Sequence, residues 1–134
     1  MCAIFGCLNY GKKIKIKTLK NLVKNLSIAC EIRGTDATGI SYVKNGSIKV
    51  FKKPKPAHKL NLYFPNNTTT LIGHTRYTTQ GSEKFNQNNH PFKSKLNGFS
   101  LAHNGIICND RQLREHYQLP QTNIETDSYI AVQL

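Results

Sequence analysis

Acidic residues are scarce in this sequence: seven Asp and Glu stand against nineteen Lys and Arg, giving a formal net charge of +12. No apolar run approaches the roughly 18 residues a membrane-spanning helix needs, which excludes a chain threaded through a bilayer by helices. Cysteine is sparse too. Cys2, Cys7, Cys30 and Cys108 form no C-x-x-C pair, so a disulfide scaffold, a zinc site and thioredoxin-like chemistry have no support. The opening Met-Cys-Ala-Ile-Phe-Gly has neither the basic segment nor the long apolar stretch of a secretory signal. A cytoplasmic protein with reduced thiols is expected. There is no G-x-x-x-x-G-K-[ST] phosphate loop, no internal repeat and no low-complexity tract. What remains is 134 residues, 38% hydrophobic and 19% charged. That is one domain's worth of chain, able to bury a core without staples, and it is neither a coiled coil nor a charged disordered segment.

The charge is uneven, with +11 of the +12 in the first 60 residues. Such a half could attract a nucleic acid or an acidic partner, or it could be a solvated lysine face. No aromatic residues interleave with the lysines, as a base-stacking surface would require, so nucleic acid is not an expected partner. Lys13-Ile14-Lys15-Ile16-Lys17 alternates like a strand with one wet face.

Coarse elements follow from periodicity and turn chemistry. Residues 3–9 read as a short buried strand. Thr18 can cap a helix over 19–31, with Leu19, Leu22, Val23, Leu26 and Cys30 on one face. Residues 39–44 and 47–52 alternate around Asn45-Gly46, a strong hairpin signal. A helical turn is expected within 57–64, a strand from Thr69 to Thr75, and another strand over 98–103. Between the last two lies a long polar, turn-rich stretch over 76–95, of the kind that is often functional. Asn109 or Asp110 can open a short helix to about Tyr117, and Thr126 or Asp127 a last one.

Five clusters could carry chemistry. With Met1 removed, Cys2 would present a thiol and a free α-amine on one residue, and the amine titrates near neutrality and could take the thiol proton. The alternative is a buried inert thiol. Arg33-Gly34-Thr35-Asp36-Ala37-Thr38-Gly39 is a polar loop between glycines, either a close approach to a reaction centre or an ordinary turn. Gly73-His74-Thr75-Arg76-Tyr77-Thr78-Thr79-Gln80-Gly81 sets an arginine at a strand end, suited to a carboxylate or merely exposed. Leu101-Ala102-His103-Asn104-Gly105 offers an amide and the next N–H as two donors for one oxyanion, or else a type I′ turn. Glu125-Thr126-Asp127-Ser128 offers carboxylates that could cap a helix or hold an ammonium.

Taken in order, these stretches and Asn89-His90-Pro91 resemble the glutaminase domain of class II glutamine amidotransferases, which are N-terminal nucleophile hydrolases. The resemblance runs from Cys2 to about Ser128 and is nearest to the aminosugar-synthase and phosphoribosyl amidotransferase branches. It implies an α+β fold, an αββα sandwich of two stacked sheets between helix layers. The family's domain is longer, so residues 1–134 are expected to be a partial domain lacking its C-terminal strands. The implied reaction is hydrolysis of the glutamine side-chain amide through a Cys2 thioester, with Asn104 and Gly105 holding the oxyanion. Arg76 would bind the substrate α-carboxylate and Asp127 its α-ammonium. Tyr77, Thr79 and Gln80 would line the pocket, and Arg33, Gly34 and Asp36 would support the loop beside Cys2. No metal or cofactor is implied. The partners implied are L-glutamine and a synthase domain or partner chain that accepts the ammonia. A regulatory module that binds glutamine without turnover is the alternative. Two positions depart from the pattern: Ala3 stands where the family commonly has Gly, and Gln80 where the aminosugar branch usually has His.

Overall fold

The computed structural model describes residues 1–94, 96 and 98–134. Its elements are β1 (Ala3–Leu8), α1 (Ile16–Ala29), β2 (Ala37–Lys44), β3 (Ser47–Lys53), β4 (Thr70–Arg76), β5 (Phe92–Lys93), β6 (Ser100–Leu101), α2 (Asp110–His116) and α3 (Ile130–Gln133). The first four strands make one antiparallel sheet in the order β1-β4-β2-β3, while β5 and β6 pair separately. The mixture of helix and sheet is the α+β class expected.

Register explains the layering. Phe5 faces Gly73, Gly73 faces Ile40 and Ile40 faces Phe51 across the sheet. Because side chains alternate along a strand, these point to one side. That side buries Phe5, Ile40 and Leu71 against Leu19 and Val23 of α1 and against Phe64. Leu19 and Val23 lie one helical turn apart on the same face of α1. The other side of the sheet carries Ile4, His74, Gly39 and Lys52 in one row. The β5–β6 ribbon lies over it. Ser41 shares a hydrogen bond with Ser100, and His74 stacks on His90 at 4.3 Å between ring centroids. A second, smaller cluster of Phe92, Tyr129 and Val132 joins the ribbon to α3.

The hairpin forms as expected. Asn45 and Gly46 have φ of 51° and 71°, and Lys44 pairs with Ser47. Three expectations are corrected. The alternating Lys-Ile segment is no strand. Asn9 accepts from the Ile14 N–H at 3.0 Å and donates to the Ile14 carbonyl at 3.1 Å, turning the chain so that α1 starts at Ile16. Thr18 therefore lies inside the first turn and caps nothing. The strand expected over 98–103 shrinks to Ser100–Leu101, because the His103 main chain bonds to histidine side chains instead of a strand.

Candidate active site

The first residues of β1, the last of β4 and the loop before β2 come together at one end of the large sheet, because β1, β4 and β2 are adjacent. Cys2 sits there, partly exposed. Its Sγ accepts from the Tyr77 N–H at 3.3 Å and lies 3.4 Å from the Tyr77 carbonyl, to which the thiol donates. The Cys2 carbonyl accepts from Arg33 Nε at 2.9 Å and from Asn104 Nδ2 at 2.8 Å. Residues 31, 75 and 102 positions away thus all meet at Cys2. Arg33 Nη2 also reaches the Met1 sulfur at 3.4 Å. A cleft of about 530 Å³ opens alongside, lined by Met1, Glu31, Ile32, Arg33, Gly34, Thr35 and Tyr77.

Gly34 makes this junction feasible. A Cβ there would come within 2.4 Å of the Arg76 carbonyl carbon and 2.5 Å of the Tyr77 nitrogen, main-chain atoms that cannot yield easily. Two hydrogen bonds lock the same loop to β4: Asp36 N–H to the Arg76 carbonyl at 3.0 Å, and Thr78 N–H to Asp36 Oδ2 at 2.7 Å.

Arg76 is buried, at 3% exposure. Its Nη1 donates to Asn89 Oδ1 at 2.7 Å and its Nη2 to the carbonyls of Gln80 and Gly81 at 2.5 and 2.7 Å. The Nε–H and one Nη1–H make no hydrogen bond among the described residues. Burial lowers its pKa, against which the fields of Cys2, Glu83, Asp36 and Asp127 act. No carboxylate lies within ion-pair distance of it among the described residues. Gln80 turns its side-chain amide onto the Glu125 carbonyl at 3.0 Å. Tyr77 and Thr79 are exposed at the mouth of the loop.

The Asn104-Gly105 pair is no type I′ turn, since neither residue has positive φ. Its flanks are gripped on both sides. His103 receives His74 Nε2–H on its carbonyl at 3.1 Å, gives its N–H to His90 Nδ1 at 3.3 Å, and sets its own Nδ1 2.9 Å from Ser128 Oγ. Beyond the pair, the Ile107 N–H donates to Asp127 Oδ2 at 2.6 Å. Asp127 therefore braces the donor loop and does not cap a helix of its own; Oδ1 makes no hydrogen bond among the described residues.

Burial pushes the pKa of His74 down to about 4 and that of His90 down to about 2, with neighbouring cations adding to the effect. Both rings are neutral at ordinary pH. Among the described residues no three His, Cys, Asp or Glu side chains converge on a common point as metal ligands would. The other inward-facing thiols, Cys7 and Cys30, are pushed up by burial and so stay protonated. No helix among the described residues is long and apolar enough to cross a membrane.

Three contributors were not visible in the sequence. His74 and His90 sit inside recognised motifs, but nothing in their spacing announces that they stack. Lys52 lies outside every motif, yet its ammonium is drawn under the segment that holds Asn89.

No family model matches the chain. It is, however, similar over its whole length to several curated bacterial proteins. It is 35% identical to a glutamine–fructose-6-phosphate aminotransferase (isomerizing) of Staphylococcus epidermidis over 140 aligned positions. It is 34% identical to proteins of the same name from Geobacillus kaustophilus and Bacillus subtilis over 139. In each case all of this chain is matched against 22% of the relative, so the chain spans about a fifth of the length of the proteins it matches. With its motifs in order and this kinship running from end to end, the chain belongs to the class II glutamine amidotransferases, and the part of those relatives it matches is their amidotransferase domain.

Proposed function

We propose that the chain, once freed of Met1, hydrolyses the side-chain amide of L-glutamine. The observation that carries this reading is the meeting at Cys2. A side-chain amide from Asn104 lies 2.8 Å from the carbonyl of the residue that bears the thiol. A donor on that loop is thereby held beside the sulfur that would attack.

The α-amine of Cys2 takes the thiol proton, directly or through one water. The thiolate adds to the carboxamide carbon, and the oxyanion is stabilised by Asn104 Nδ2 and the Gly105 N–H. The C–N bond breaks, the amine returns its proton to the leaving nitrogen, and ammonia departs. A γ-glutamyl thioester remains, which water cleaves to glutamate and free thiol. Glutamine is a zwitterion, so its recognition needs one cation and one anion. The unfilled donors of buried Arg76 suit the α-carboxylate, and the unused oxygen of Asp127 suits the α-ammonium. Tyr77, Thr79 and Gln80 complete the pocket, with Arg33, Gly34 and Asp36 holding the loop behind it. Helix, sheet and ribbon layers support the αββα sandwich as the parent architecture. The relatives' name designates fructose 6-phosphate as the compound aminated, and we assign ammonia transfer to a separate domain or partner chain carrying such an acceptor.

The test is glutamate release from glutamine by the chain beginning at Cys2, beside labelling with a diazoketone glutamine analogue. Turnover with a single adduct on Cys2, both lost in Cys2→Ala, is expected. Undiminished activity in Cys2→Ala overturns the mechanism. Calorimetric binding of glutamine with no glutamate formed shows a binding module instead.

A further inference from the structure

Lys52 is on β3, opposite Gly39 of β2, on the sheet side covered by the ribbon. The residue is half-buried, and its ammonium turns toward the ribbon. It donates to the carbonyl of Asn89, and at 3.3 and 3.4 Å to those of Pro91 and Gln87. It also lies 4.7 Å from the centre of the Phe92 ring. The Lys52 carbonyl in turn accepts from Asn86 Nδ2 at 2.8 Å. One residue therefore grips the 86–92 segment at its beginning, middle and end. Gly39 permits the approach: a Cβ there would fall 2.1 Å from the His90 carbonyl oxygen and 2.8 Å from the Lys52 Cβ.

That segment delivers Asn89, which is fully buried. Asn89 stands between two cations. Its main-chain carbonyl takes the Lys52 ammonium, and its side-chain Oδ1 takes Arg76 Nη1 at 2.7 Å. The Asn89 amide is fixed from behind by Nδ2 donating to the Glu83 carbonyl at 2.8 Å. No carboxylate comes within ion-pair distance of either cation among the described residues. Burial, with the field of Arg76, pushes the Lys52 pKa down to about 8, so the ammonium is still charged at neutral pH. Holding two cations on one asparagine with no carboxylate in direct contact with either is costly for stability alone. It is intelligible where an incoming anion completes the charge balance.

We propose that Lys52 is a positioning residue for glutamine recognition: its ammonium fixes the 87–91 segment and, through Asn89, sets the guanidinium of Arg76 for the substrate carboxylate. The inference rests on the reading of Arg76 given above. It predicts that Lys52 acts mainly on substrate binding, because Arg76 hangs on Asn89 directly, whereas the oxyanion loop meets the same segment only through the His90 ring and is also held by His74, Ser128 and Asp127.

The experiment compares glutaminase kinetics of Lys52→Met, Lys52→Arg and Arg76→Lys with the unaltered chain beginning at Cys2, with circular dichroism to establish that each is folded. Lys52→Met is expected to raise KM for glutamine about tenfold with kcat within about twofold. Lys52→Arg, which keeps charge and donors, is expected to bring KM back to within about threefold. Should Lys52→Met not fold, Lys52→Gln keeps amide donors without the charge and is expected to raise KM about threefold. An unchanged KM in the folded Lys52 variants, with Arg76→Lys raising KM, overturns the inference and leaves the Arg76 reading intact. So does a loss confined to kcat. An unchanged KM in Arg76→Lys, or no saturable glutamine binding by the unaltered chain in calorimetry, overturns the reading and the inference together.

Discussion

Mild acid should destabilise this protein through His74 and His90. His74 donates Nε2–H to the His103 carbonyl, while its Nδ1 is buried without a hydrogen-bond partner among the described residues. A proton added at Nδ1 would find no acceptor. His90 Nδ1 already accepts the His103 N–H, so a proton there would break that bond. Both folded-state pKa values, about 4 and about 2, lie below the ordinary 6.5. The sign follows: below pH 6.5 the unfolded chain takes up protons that the folded chain refuses, so stability falls as pH falls. At about pH 5 each histidine costs about 2 kcal/mol relative to pH 8, together about 4 kcal/mol. The sum barely depends on how far the folded values are depressed, because both already lie about a unit or more below that pH. Against a total stability of about 5–15 kcal/mol, this is a large fraction. It corresponds to a fall in Tm of about 12–20 °C for a chain of this size. Urea unfolding followed by circular dichroism at steps from pH 8 to 5 measures it. A change below about 1 kcal/mol would refute the reasoning. So would an undiminished slope in a folded His74→Asn, His90→Asn double variant.

Two other expectations can be checked directly. Gly34→Ala should lower stability by about 1–3 kcal/mol, since its Cβ meets main chain on β4, and a thermal melt reads this. Asn104→Ala should lower kcat by about 10²–10³ while leaving Tm almost unchanged, because its side chain is exposed and serves only the Cys2 carbonyl in the resting fold.

The fold was legible where the physics is local. The hairpin at Asn45-Gly46 follows from two residues that tolerate positive φ, and Leu19 and Val23 mark the buried face of α1 by spacing alone. The start of α1 was not legible, because a side chain at Asn9, rather than any cap near Thr18, turns the chain into the helix. The shortness of β6 was hidden for a similar reason: His103 looks like strand until the partners of its main chain are known. At the site, motif order placed Cys2, Arg33 and Asn104 among the candidates, and they are neighbours in space. Periodicity could not reveal that Arg76 has most of its donors bound to its own loop. Nor could it reveal that Lys52, one lysine among many, is drawn inward. The first depends on how the loop after β4 folds back on Arg76, and the second on where a segment 35 to 39 residues away passes.

The separations at Cys2 also bear on the order of events during synthesis. The carbonyl of Cys2 gains its second donor only from Asn104, 102 residues further along the chain. At a ribosomal pace of about 5–20 residues per second, that partner emerges about 5–20 s after the terminus does. Such distant contacts form late because a long loop must close first. During that interval Arg33 and Tyr77 are already available to Cys2, while the Asn104 amide is not. On the proposed reading, removal of Met1 would precede the docking of Asn104, and glutamine hydrolysis would begin only when that distant segment arrives.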